Sequence, residues 1–397
     1  MADDPAEPPE PFRGVPFFGD LAKMLGGGGG VPWDAARQMA IGVATGGQTE
    51  PNVDPAERQR YSEMSRIAEL HVARVTGLTV SRSASSPVIV PVTRAEWAAQ
   101  TLSDYRPFLE ALSDLNKPPD PATDQPADPI AQLFGGLFQM LGPAMTAMTA
   151  GSMVGQLAQR SLGSYDLPLP RPGRDRVLVV APALAQFADE WEVPGDDLRL
   201  WICLHELTLH TVLGVGHVGS ALSQLVTEYL EGFQTGDGSA LEDRLGGLEL
   251  DPSAGPEELQ RQLQQMFGDP EVLLGAIRSP EQAVTQPRLQ ALVDVLVGYV
   301  DHVLDDTGRG LIGSVGQLTE ALRRRRVTAG AADRFVEKLL GLEVTRASVE
   351  RGQAFVQGVV ERAGTDGLRR LWTDSEALPT PNEVDAPGLW LARIELE

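Results

Sequence analysis

The chain reads as a mainly helical protein with one small strand region, and three observations predict this. Apolar residues recur at helical spacing in one segment after another, as at Tyr61, Met64, Ala68, Val72 and Val75. Arg176–Val180, a short run of branched apolar residues, is the strongest strand signal in the chain. Stretches rich in Pro, Gly and acid separate the periodic segments, and no internal repeat occurs.

Taken in order, residues 1–30 are rich in Pro and acid and close on five glycines, Gly26 to Gly30, which predicts a flexible segment. A single domain is expected over residues 31–397, within which residues 31–128 could form an N-terminal helical subdomain. Val31-Pro32-Trp33-Asp34 opens the first helix, and residues 54–76 form the second. Thr93 with Glu96 has capping-box spacing and predicts a helix from residue 94 to about 105, which Pro107 should kink or end. Residues 116–128 read as a Pro/Asp linker. Residues 129–159 carry no charge, but Gln132, Gln139, Gln156 and Pro143 interrupt them. Two amphipathic helices hinged at Gly142-Pro143 are expected there rather than a membrane span. Asp196-Asp197 can cap a helix that begins near residue 198. Further helices are expected over residues 220–233, 288–304, 331–340 and 349–362, with a looser stretch at 236–273.

The chain has 397 residues and a formal net charge of −22. So acidic a surface argues against nucleic acid and against anionic membranes as partners. Lysine occurs only at Lys23, Lys117 and Lys338. The single cysteine, Cys203, excludes an intrachain disulfide and suits a reducing compartment. The N-terminus has no basic region followed by an apolar one, so a cytoplasmic location is expected.

The stretch from Leu200 to His210, Leu-Trp-Ile-Cys-Leu-His-Glu-Leu-Thr-Leu-His, carries the chemistry. It nearly spells H-E-x-x-H, in which two histidines four apart hold Zn²⁺ and the glutamate serves as general base toward the metal-bound water. His205 and Glu206 are in place, but residue 209 is leucine and the next histidine, His210, comes one residue late. His205 and position 209 share a helix face, whereas His210 is turned by roughly 140° from His205. Only a π-bulge would bring both imidazoles to one ion. The provisional site is therefore His205 and His210 as zinc ligands with Glu206 as the catalytic base. A substitute set, Glu206, His210 and His217, needs an unbroken helix through Gly214 and Gly216. The plain alternatives are a surface histidine, a turn histidine and a buried structural Cys203. The run Arg323 to Arg326 most simply balances neighbouring carboxylates.

Several further segments carry a resemblance. They are Val31-Pro32-Trp33-Asp34-Ala35-Ala36-Arg37-Gln38, Leu162-Gly163-Ser164-Tyr165-Asp166-Leu167, Val177-Leu178-Val179-Val180-Ala181-Pro182 and Asp197-Leu198-Arg199-Leu200-Trp201. Gly352-Gln353-Ala354-Phe355-Val356 and Leu378-Pro379-Thr380 extend it. With these the chain resembles, from about residue 11 to 394, a bacterial family common in actinobacteria. That family has a zincin-like fold and is labelled zinc-dependent metalloprotease or hydrolase. The resemblance implies that His205 matches the first ligand and Glu206 the general base. It puts Leu209 where the second histidine belongs and Val297, in Leu296-Val297-Gly298, where a third ligand glutamate belongs. Asp294 and Asp301 lie one turn either side of Val297 and are the carboxylates that could replace it. Two readings follow. One is zinc-dependent peptide hydrolysis, with Zn²⁺ as cofactor. The other is a pseudoenzyme without metal that holds a peptide or protein in the old cleft.

Overall fold

The computed structural model describes residues 31–80, 88–115, 129–171, 175–232, 280–327 and 331–396. The expected flexible segment 1–30, the linker 116–128 and the stretch 236–273 lie outside these. Helix α1 (Trp33–Thr45) and α2 (Pro55–Thr76) come first, followed by strand β1 (Val88–Val92), α3 (Arg94–Leu115) and α4 (Pro129–Arg160). Strand β2 (Arg176–Val180) leads directly into α5 (Ala181–Glu190), then α6 (Gly195–Gly214) and α7 (Gly216–Glu231). Next are α8 (Pro280–Leu311), α9 (Val315–Val327), α10 (Ala331–Leu340) and α11 (Arg346–Arg369), and two short helices, α12 (Pro381–Asp385) and α13 (Pro387–Leu396), close the chain.

The ends of these helices follow their sequences. Asp54 caps α2 by accepting from the Ala56 amide, with Pro55 in the first turn. Thr93 and Glu96 form the reciprocal capping box at α3, as their spacing predicts. Other expectations are corrected. Pro107 and Pro143 lie inside continuous helices, so α4 is one helix of 32 residues and not two hinged ones. Asp196 and Asp197 stand in the first turn of α6 without capping it. Asp197 instead accepts from the amide and hydroxyl of Ser314, tying α6 to the start of α9. A second strand, β1, pairs in parallel with β2, Val88 opposite Arg176 through Val92 opposite Val180. Among the described residues no helix is long and apolar enough to cross a membrane.

Two helices form the middle of the core. Every residue of α6 from Trp201 to Leu213 is buried, and so is every residue of α8 from Ala291 to Val300. A helix buried on all sides must be covered by other elements. Here α2, α5, α7 and β2 pack around α6, while α11 lies along α8. The crossing of α8 and α11 depends on glycine. A Cβ on Gly352 would overlap the Asp294 carbonyl, and one on Gly298 would overlap the Gly352 backbone. Beside that crossing the buried Asp294 carboxylate receives Arg351 Nη1 at 2.9 Å and Gln290 Nε2 at 2.7 Å.

Candidate functional site

Helix α6 is α-helical without a bulge over its whole length, so the offset in the His-Glu stretch stands in three dimensions. His205 and Leu209 present themselves to one cavity of about 120 Å³. Val297 and Val300 from α8 line its far side. Trp201, Ile202, Leu162 and Val344 add apolar surface, and Arg160, Asp166, Arg325 and Glu337 supply its charged groups. The position of the first ligand and both positions where the resemblance expects the other ligands thus converge on one space. Two of the three are apolar.

The donor set does not fit a catalytic zinc. Such a site needs three protein ligands and an open position for water. His205, Leu209 and Val297 offer one nitrogen between them, and among the described residues no group of three or more His, Cys, Asp or Glu is placed to hold a metal ion. The carboxylates that could substitute are engaged. Asp294 is held by Gln290 and Arg351, and Asp301 accepts from Gln353 Nε2 at 2.8 Å.

His205 and His210 have different partners. The His205 ring stacks on Trp201, one turn earlier, with centroids 5.0 Å apart, and its Nδ1 lies 3.2 Å from Glu206 Oε1. His210 shares a 3.0 Å hydrogen bond through Nδ1 with the Tyr165 hydroxyl, and its Nε2 lies 3.5 Å from Asp175 Oδ1. His217 is on a separate helix. The chain leaves α6 at Val215, which is extended, and restarts as α7 at Gly216. This removes the set of Glu206, His210 and His217 on one continuous helix, because Gly214 and Gly216 flank a real break.

Glu206 is fully buried, and its carboxylate accepts the Tyr165 amide at 3.0 Å. Burial pushes its pKa up, as does the nearby Asp166 charge, against the downward pull of His205 and the Tyr165 N–H. The backbone of Gly163 lies directly against this carboxyl group, and a Cβ there would overlap it. Residues 162–166 are fixed from several sides. The Gly163 carbonyl accepts Trp97 Nε1, the Ser164 carbonyl accepts Arg171 Nε, and the Ser164 hydroxyl accepts the Leu178 amide, each at 2.9 Å. Gly163 also bridges antiparallel to Val179, which sets the segment beside β2. Arg171 is itself buried and paired with Asp104 at 2.8 Å.

Sequence reasoning missed Tyr165, which binds Glu206 through its amide and His210 through its hydroxyl. The signal available was its place in the Leu-Gly-Ser-Tyr-Asp-Leu segment; a partner more than 40 positions away leaves no local trace. Cys203 is buried, and burial pushes its thiol pKa up, so it is inert packing.

The fold agrees with the comparisons. The family model described as "Zincin-like metallopeptidase" matches residues 31–391, and the chain belongs to that family. A solved structure described as "a putative hydrolase with a novel fold", from Chloroflexus aurantiacus, superposes with a TM-score of 0.57 at 24% identity. The match covers 92% of this chain and 99% of that one, and it shows the same fold. No curated protein matches the chain.

Proposed function

We propose that this member of the zincin-like family binds a peptide or protein segment and does not carry out zinc-dependent hydrolysis. The observation that carries this reading is the cavity shared by His205, Leu209 and Val297. The side chains at two ligand positions fill space as core residues do, and one histidine cannot hold zinc against water. The placement of Glu206 supports it further. A general base must reach the water it activates, whereas this carboxylate is fully buried and accepts the Tyr165 amide.

Elemental analysis of untagged protein, purified without chelator and then incubated with zinc, tests the reading. It expects less than about one tenth of an equivalent of zinc, no change in His205→Ala, and no cleavage of peptide pools. About one zinc per chain, lost in both His205→Ala and His210→Ala, with cleavage lost in Glu206→Gln, would overturn it. That result would establish the hydrolytic reading, with His205 and His210 as ligands and Glu206 as the base.

A further inference from the structure

We infer that the cavity is a pocket for one branched aliphatic side chain, of the size of leucine, isoleucine or valine, presented by a bound peptide. This rests on the peptide-binding reading above and deepens it.

Size comes first. The cavity holds about 120 Å³, somewhat less than the ~150 Å³ of an engineered apolar cavity that takes up benzene. It therefore admits an aliphatic group of about four carbons and is tight for an aromatic ring. The lining agrees. Branched side chains supply much of the apolar lining, Leu209, Val297, Val300 and Ile202 among them. Of its two large aromatic side chains, Trp201 already has His205 stacked on it, which takes up a face that an incoming ring would use, and Tyr165 is tied by its hydroxyl to His210.

Polarity argues for a peptide as the source of that group. With His205 Nδ1 turned to Glu206, Nε2 is the remaining ring nitrogen. It can accept one hydrogen bond from a donor beside the aliphatic group, as a backbone amide N–H would supply. The charged groups of the wall balance, Arg160 and Arg325 against Asp166 and Glu337, and Arg325 and Asp166 are 3.2 Å apart and paired with each other. They ask for no net charge in the ligand. A neutral backbone carrying an apolar side chain satisfies all three features.

The test titrates the full chain with pools of capped heptapeptides that share one fixed central residue. The account expects pools fixed at Leu, Ile or Val to bind at least about tenfold more tightly than pools fixed at Gly, Asp or Trp, since burying such a side chain shifts affinity by that much or more. Val297→Phe fills the cavity and should abolish the preference. Val344→Phe narrows it from a half-buried wall position and keeps the test available if Val297→Phe fails to fold. Peptide binding with no aliphatic preference, or a preference untouched by either variant, overturns the pocket while leaving peptide binding in place. No binding by any pool overturns both.

Discussion

Replacing Gly163 by alanine puts a methyl group where the Glu206 carboxyl sits, and this is the sharpest structural perturbation the site offers. The carboxyl cannot simply step aside. It has no exposed surface, and the Tyr165 amide and His205 hold it. Gly163 is anchored as well, through Trp97 Nε1 on its carbonyl and its bridge to Val179. Overpacking of this kind costs about 1–3 kcal/mol. Displacing Glu206 from the Tyr165 amide adds about 1–3 kcal/mol for a buried donor left without its acceptor. The sum is about 2–6 kcal/mol. Glu206→Ala alone loses the same acceptor and should cost about 1–3 kcal/mol. In the double variant the methyl group finds the space that the carboxylate vacated, so the pair should cost no more than Glu206→Ala alone and the two losses overlap by about 2–6 kcal/mol. Denaturant unfolding of the four proteins, followed by circular dichroism, measures this. Strictly additive losses, or a neutral Gly163→Ala, would refute the claim that Glu206 is pinned against this segment.

Other predictions follow from the same geometry. Arg171→Met leaves Asp104 buried without its cation and frees the Ser164 carbonyl, so it should cost about 3–5 kcal/mol by the same unfolding measurement. For Glu383, burial pushes the pKa up, but hydrogen bonds from Arg393 and Thr380 outweigh it and hold the group below the usual glutamate range. A carboxylate with a lowered folded pKa adds stability above its unfolded pKa of about 4.3 and loses it as pH falls through the lower folded value. Glu383→Gln should therefore melt below the wild type at pH 7, with the gap closing below about pH 4; a gap independent of pH would contradict this.

Much of this site was legible in the sequence, because helix geometry is local. The offset between His205 and His210 fixes which of them shares a face with position 209. An α-helix without a bulge then leaves the second histidine outside the cavity. The Thr93–Glu96 box and the strand Arg176–Val180 were equally local. Other features were settled by tertiary packing. Pro143 sits inside α4 because that helix is clamped along α1, where Gly151 and Gly155 abut the Ala36 and Ala40 carbonyls. Strand β1 was obscured by Pro91, which donates no hydrogen bond yet pairs with Val179 in register. The break at Val215 is flanked by Gly214 and Gly216 and is local too, whereas the reach of Tyr165 to both Glu206 and His210 depends on residues distant in the chain.

The central claim is that positions 209 and 297 are vacated ligand positions that share one cavity with His205. Its most direct measurement is zinc affinity, by competition with a chromophoric chelator, for the wild type and for the Leu209→His, Val297→Glu double variant. The account predicts no measurable site in the wild type. In the double variant it predicts about one zinc per chain, lost again on His205→Ala, because three ligands would then converge. Stoichiometric zinc in the wild type, or none in a correctly folded double variant, would contradict it.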